Sequence, residues 1–353
     1  MIQVDRIMRR GVDDGVFPGA VLRVGRGENV LFHAAYGHAN RFTGEPVTPG
    51  TVFDLASLTK PLATTLAVMR LCQQRRLGVE QRLASVLPAF EGSGKGGVTI
   101  AQLLAHTSGL PDHQPFYLEL AARPAPERKN LLRARLVQEP LLCAPGERML
   151  YSDLDFMILE WVVETVSGRR LDRYAAEEVY APLGAADALF FIDLDRPAPP
   201  RACAATEQCP WRGRLIEAEV HDENAHALGG IAGHAGLFGT AERHVEAYRE
   251  LMRRTLADAG REAVGGSGAG VRVRIPVIPG VNDDEANLRV SGAFLAGLNP
   301  LHEVELLPYH AIAAGKYAAL GREDPLPGLQ PPGEAHMRWC VGVLGEYGIR
   351  VVL

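Results

Sequence analysis

Polar and apolar positions alternate at helical spacing over residues 3 to 15, which predicts an amphipathic helix. Two short apolar runs follow, Ala20 to Val24 and Val30 to Tyr36. Gly25-Arg26-Gly27-Glu28-Asn29 lies between them, a hairpin signal. Leu58, Leu62, Leu66, Met69 and Leu71 recur at helical spacing and predict a helix from Ser57 to Arg76, with Gly78 as its stop. Pro61 falls in the first turn of that helix, where its missing N–H costs nothing. Thr99 is an N-cap candidate for a helix running to about Ala105. Leu154 to Val166, closed by Gly168, and Leu171 to Tyr180, ended by Pro182, are two more.

The pattern changes at Gly260 to Gly270, where five of eleven residues are glycine, and residues 259–270 read as a flexible linker. Beyond it strands alternate with helices. The strands are Val271 to Ile278, Val304 to Leu307 and Ile349 to Leu353, and the helices Asp284 to Leu295 and Glu334 to Glu346. Such alternation predicts βα units on a parallel sheet. The expected organisation is therefore residues 1–258, a linker, and a βαβαβ tail over 271–353. No internal repeat is visible.

Composition narrows the function classes. With 353 residues there is room for two domains. A net charge of −5 gives no electrostatic case for a nucleic-acid partner. No run of eighteen apolar residues marks a membrane span, and the first residues show no leader-peptide pattern, so the default expectation is a cytoplasmic protein. The cysteines, Cys72, Cys143, Cys203, Cys209 and Cys340, fit no CxxC pair and no CxxxCxxC cluster motif, and read as structural free thiols.

The chemistry-bearing pattern is Ser57-Leu58-Thr59-Lys60, an S-x-x-K at a helix start. Residues three apart share a helix face, so the amine of Lys60 can reach the hydroxyl of Ser57. A serine hydroxyl is a poor nucleophile until a neighbouring base takes its proton. A lysine can be that base when burial or nearby positive charge depresses its pKa. The helix N-terminus offers a backbone N–H to a developing oxyanion. With eight serines and four lysines, chance places a Ser three before a Lys only about 0.09 times in a chain of this length. Taken alone, the pair also reads as a surface lysine one turn from a capping serine.

Three segments carry a family resemblance over residues 1–258. Phe53-Asp54-Leu55-Ala56-Ser57-Leu58-Thr59-Lys60 resembles the nucleophile segment of serine β-lactamases, penicillin-binding proteins and β-lactamase-like esterases. Residues 101–111, ending His106-Thr107-Ser108-Gly109-Leu110-Pro111, resemble their "LLxHTSGLP" segment. Pro145-Gly146-Glu147 with Tyr151-Ser152-Asp153 resembles their "PGxxxxYS" segment and its Tyr-x-Asn or Tyr-x-Asp motif. The resemblance implies an α/β fold of the α+β sandwich, β-lactamase/transpeptidase-like kind, with Ser57 as nucleophile and Lys60 and Tyr151 as its acid–base partners. It implies substrate contact for Asp153, which is otherwise a helix N-cap candidate. His106 is expected to bond the backbone of its turn. No cofactor or metal is implied. The expected partner is a small-molecule ester or amide substrate: a β-lactam, a D-alanyl peptide or a small ester.

The family's third motif, Lys-Thr-Gly or His-x-Gly on an inner strand, has one candidate here, His234-Ala235-Gly236. It comes 83 residues after Tyr151, earlier than the family's strand. Its surroundings resemble a different family segment, "GHAGLFSTAxDLARF", a loop near the site that leads into a helix. His234 is therefore expected to line the substrate pocket rather than sit on the strand. In the tail, Arg274-Ile275-Pro276-Val277-Ile278-Pro279-Gly280-Val281-Asn282-Asp283, with His310, Lys316-Tyr317 and Tyr347-Gly348, resembles the C-terminal quarter of glycyl-radical-enzyme activating enzymes, a radical-SAM family. The cluster cysteines are absent, so that chemistry is not expected.

The chain thus reads as a truncated hydrolase joined to a second fragment. Of the five-stranded sheet that the resemblance implies, only the N-terminal hairpin is visible. A bare hairpin is marginal and its edge open. The tail's strands are expected to cover that edge, or a second copy of the chain in a homo-oligomer. The rival functional reading is a catalytically inactive remnant that binds ligand weakly.

Overall fold

The structure is a computed structural model and describes residues 2–26, 29–196, 203–241, 271–280, 282–296, 301–308 and 329–353. Two compact units are present, Met1–Thr255 and Leu256–Leu353. The linker predicted over 259–270 lies outside the described residues, as do His310 and Lys316-Tyr317.

The first unit opens with helix α1 (Ile2–Asp13) and the antiparallel pair β1 (Gly19–Arg26) and β2 (Asn29–Asn40). Strand β3 (Glu45–Pro46) adds to the far end of β2, opposite His38 and Asn40. Strand β4 (Phe53–Asp54) leads into the segment expected as one helix from Ser57. It is three helical pitches in succession: a 3₁₀ turn over Ala56–Leu58, a π turn over Lys60–Thr64, and helix α2 (Thr65–Gln73). Pro61, which brings no N–H to the ladder, lies in the π turn. The stop comes earlier than Gly78. Arg75 adopts a left-handed backbone (φ 57°), and Arg76 N–H reaches Leu71 O at 2.9 Å while Arg75 N–H reaches Cys72 O at 2.8 Å. These are the two bonds of a Schellman closure.

Helix α3 (Ile100–Leu104) starts where Thr99 and Gln102 form a reciprocal capping box. Helix α4 (Ala125–Gln138) escapes the sequence pattern because it buries only Leu132 and Leu136, a stripe too thin to read. Helix α5 (Asp153–Ser167) runs from a Ser152 cap to left-handed Gly168. Leu154, Phe156, Met157, Ile158, Leu159, Val162 and Val163 on it are buried, which makes it the central element of the main core. Helix α6 (Leu171–Tyr174) continues as a π turn to Tyr180 and a 3₁₀ turn over Ala181–Leu183. Pro182 is inside that last turn, and left-handed Gly184 is what ends it.

A second small sheet places β8 (Leu237–Gly239) between β4 and β5 (Leu189–Phe191), all antiparallel. Before β8 come the two-residue strands β6 (Gln208–Cys209) and β7 (Arg214–Leu215) and helix α7 (Glu223–Ala227), capped by Asp222. The pairing Asp54↔Phe238 sets the start of the nucleophile segment beside residues 233–237. Those residues pack tightly on α5: a Cβ on Gly233 would stand 2.1 Å from the carbonyl oxygen of Phe156.

In the second unit the expected βαβαβ order is found: β9 (Val271–Val277), helix α8 (Glu285–Ala296), β10 (Leu301–Pro308), helix α9 (Glu334–Gly345) and β11 (Val351–Val352). Its sheet is parallel in the order β11-β10-β9, over a core that includes Val277, Leu288, Val304, Leu306, Met337, Cys340 and Leu344. Among the described residues, Val30 to Tyr36 pairs with β1 alone, and the tail strands pair with one another. Parallel strands linked through helices pair here within their own βα units.

Gly233→Ala should destabilise the chain by about 1–3 kcal/mol, the usual cost of overpacking, because backbone rather than a flexible side-chain end blocks the new methyl. Gly97→Ala, where a Cβ meets nothing within 4 Å, should lie within about 0.5 kcal/mol of wild type. Urea unfolding of both variants checks the pair; equal costs would contradict the packing described.

Candidate active site

Three stretches of the first unit converge on one ammonium group. Lys60 lies on the π turn, and its side chain is 3 % exposed. Its Nζ donates to Ser57 Oγ at 3.0 Å and to the carbonyl oxygen of His234 at 3.3 Å, and stands 2.6 Å from Asp153 Oδ1. The ammonium also lies 4.7 Å from the centroid of the Tyr151 ring and 5.9 Å from that of Phe156. The three groups expected to act together, at positions 57, 60 and 151, are therefore neighbours. Ser57 is exposed, as is Tyr151, so the serine hydroxyl and the phenol are on the solvent side while the ammonium is buried.

Asp153 is the first residue of α5, and the cap of that helix is Ser152, whose Oγ accepts the N–H of Asp155. The carboxylate of Asp153 is thus free to serve the ammonium. Burial alone would raise its pKa. The interaction with His113 (Nδ1 to Oδ2, 3.8 Å) and the charges of His234 and Lys60 outweigh burial and hold it well below the usual carboxylate range. His113, half-exposed, is pushed up by the same pairing.

His234 enters the site through its backbone carbonyl. Its imidazole is buried, 1 % exposed, with Nε2 2.9 Å from Asp222 Oδ1. Burial would lower the imidazole's pKa, but the Asp222 carboxylate raises it. Asp222 in turn is brought down to about 2, burial being overcome chiefly by the charge of His234. Ala235 and Gly236 form the approach to β8, and Gly236 (φ +109°) leaves no room for a side chain, since a Cβ would stand 2.3 Å from Gly230 O.

His106 has a left-handed backbone (φ 57°) and bonds a backbone group, as expected, though not in its own turn. Its Nδ1 accepts the N–H of Ser152 at 3.1 Å and lies 3.2 Å from Asp155 Oδ2. Its ring packs 4.5 Å from that of Tyr151. Asp155 is pinned from the other side by the Ser108 hydroxyl at 2.5 Å, so the "HTSG" run anchors the start of α5.

Sequence reasoning missed Asp54, His113 and Asp222. Asp222 had a local signal, an acid directly before a helix start. His113 had none, because its partner Asp153 is far away along the chain, and Asp54 had only its short bond to Ala56, its other partner His221 being distant. Among the described residues no group of His, Cys, Asp and Glu is arranged to hold a metal ion.

A buried lysine in contact with an exposed serine, an acid and a tyrosine is an arrangement suited to acyl transfer. The Beta-lactamase family profile matches residues 4–275. The chain belongs to the β-lactamase family. Its relatives include the N-acetylmuramyl-L-alanine amidase of Bacillus subtilis (strain 168), 34 % identical over 68 % of this chain and 60 % of that one. An Escherichia coli (strain K12) protein named for D-alanyl-D-alanine carboxypeptidase activity is 35 % identical over 67 % of this chain and 60 % of its own. The crystal structure of a penicillin-binding protein from Bacillus halodurans superposes with a TM-score of 0.54 at 26 % identity, covering 70 % of this chain and 74 % of that one. The mixed α/β architecture is thus of the β-lactamase and penicillin-binding type. The chain spans about 60 % of the length of the curated relatives it matches. These comparisons lend no support to the radical-SAM likeness of the tail.

The pKa directions predict a pH signature. A histidine whose pKa is raised by folding contributes stability that is full below the unfolded value, about 6.5, and fades as pH rises through the folded value. Relative to wild type, His234→Gln should therefore lose most stability at pH 5.5 and progressively less towards pH 9, in urea titrations across that range. The pKa values of Asp153 and Asp222 are lowered instead. Their contribution is full above about pH 4 and drains away as pH falls towards about 2.

Proposed function

We propose that the first unit is a serine hydrolase that forms an acyl-enzyme on Ser57 and acts on a peptide-like amide, with a D-alanyl peptide as the favoured substrate class. The observation that carries this is the 3.0 Å contact between Lys60 Nζ and Ser57 Oγ. The names of the amidase and carboxypeptidase relatives support an amide over a simple ester. A β-lactam, a strained cyclic amide, is the natural suicide probe of such a site.

The roles follow from the donors and acceptors. Lys60, its charge matched by Asp153, donates to the serine oxygen and steadies it. The hydroxyl proton passes to Tyr151, which acts as a phenolate beside the ammonium (ring centroid 4.7 Å from Lys60 Nζ) and becomes a phenol on accepting it. The serine oxygen attacks the substrate carbonyl, and the backbone N–H of Ser57, in the first turn of its helix, meets the developing oxyanion. The leaving amine recovers the proton from Tyr151, and water repeats the cycle to release the acid. Asp153 contributes by fixing Lys60 and, on the open side, by holding His113.

The second reading, a remnant that binds without turnover, is favoured by the absence of a Lys-Thr-Gly sequence anywhere in the chain. One experiment separates the two. The protein is incubated with a fluorophosphonate and with a fluorescent penicillin, and intact mass is recorded. A hydrolase gives a stoichiometric adduct that disappears in Ser57→Ala and forms about 10²- to 10⁴-fold more slowly in Lys60→Met and Tyr151→Phe. Absence of an adduct from both probes on folded protein establishes the remnant.

A further inference from the structure

We propose that Asp54 is a positioning residue for Ser57: its carboxylate clamps the strained turn that presents the nucleophile and ties that turn to the loop carrying Asp222. The proposal rests on Ser57 being the nucleophile.

Ala56, directly before Ser57, has φ 45°. That is the left-handed region, disfavoured for any residue with a Cβ, and strain of this kind persists only where the surroundings hold it. What holds it here is visible. Asp54 Oδ1 accepts the N–H of Ala56 at 2.8 Å, and Oδ2 accepts the N–H of His221 at 2.7 Å. Thr59 Oγ1 donates to Ala56 O at 2.7 Å and accepts the N–H of Leu237 at 3.0 Å. The residue after His221 is Asp222, which holds His234, whose carbonyl accepts a hydrogen bond from Lys60, which holds Ser57. The contacts form a closed circuit, and Asp54 joins its two ends. Burial pushes the carboxyl of Asp54 up in pKa, against the pull of its two N–H partners. A neutral side chain would be easier to bury there. An acid at this position is explained by its capacity to accept two N–H groups at once.

The test compares Asp54→Asn with wild type and, separately, in an Ala56→Gly background. An amide oxygen can replace only one of the two acceptors. Two quantities are read for each chain: the fluorophosphonate labelling rate of Ser57 per folded molecule, and the midpoint of urea unfolding. With Ala56 in place, loss of the clamp lets the turn relax to an ordinary backbone and moves Ser57, so labelling should slow about 10- to 100-fold, the usual cost of a misplacement near 1 Å. With Ala56→Gly the left-handed turn costs little without the clamp, and the same change should slow labelling less than about threefold. The stability penalty should run the other way. It should be smaller with Ala56, where relaxation releases strain, and larger with Ala56→Gly, where there is none to release.

Equal rate penalties in the two backgrounds, or rate and stability penalties that move together, would overturn the clamp and leave Asp54 a purely structural residue. If wild-type protein itself is not labelled, the hydrolase reading fails, and the order of the two stability penalties alone decides whether the clamp exists. If Asp54→Asn does not fold, Asp54→Ser, whose hydroxyl keeps one acceptor, is measured in the same two backgrounds.

Discussion

A lysine ammonium has three protons, and the ammonium of Lys60 has three acceptors: the Ser57 hydroxyl, the His234 carbonyl and the Asp153 carboxylate. The group is almost wholly buried, and a buried charge with a missing partner costs several kcal/mol. The three acceptors come from three separate stretches of chain. Satisfying the ammonium therefore forces the Ser57 turn, the start of α5 and the loop before β8 to meet at one point. The geometry of the candidate site and the desolvation of one cation are here the same constraint.

The rest of the first unit can be read as what this meeting requires. Helix α5 is buried over most of its length, so its first turn is an immobile platform for Asp153. The loop before β8 must lie flat on that helix to offer the His234 carbonyl, and Gly233 permits it by having no side chain at a backbone-to-backbone contact. Glu160 fastens the same loop from α5 by accepting the N–H of Gly233 at 2.8 Å, and Thr64 fastens it from the π turn by donating to Gly233 O at 2.7 Å. The wide π pitch at Lys60–Thr64 is thus bonded to the loop that it faces.

Local chemistry was legible in the sequence. The S-x-x-K pair, the Thr99 cap, the Gly168 stop and the βαβαβ order of the tail each depend on residues a few positions apart, and each is found. Features set by distant partners were not legible. Asp54 reads as an unremarkable acid until His221 is placed against it, and the imidazole of His234 reads as a pocket residue until Asp222 draws it inward. The pitch changes after Ser57 were hidden for the same reason, since hydrophobic spacing cannot tell a π turn from an α turn over five residues.

The geometry also bears on how much catalysis such a site can support. Acylation by an activated probe needs a positioned hydroxyl, a proton acceptor and a steadying cation, which on the proposed reading are Ser57, Tyr151 and Lys60. Turnover of an unactivated amide asks more of the oxyanion hole. One donor, the amide of Ser57, comes with the nucleophile turn. The sequence's one candidate for a second, His234-Ala235-Gly236, has its carbonyl committed to Lys60 and its imidazole to Asp222, and Gly236 is packed against the Gly230 carbonyl. Removing one oxyanion donor typically costs about 10²- to 10³-fold in kcat. On the proposed reading, a site with that one donor separates two demands: capture of an activated probe, which the Ser57–Lys60–Tyr151 cluster serves, and cleavage of an ordinary peptide bond, which asks for a further oxyanion donor.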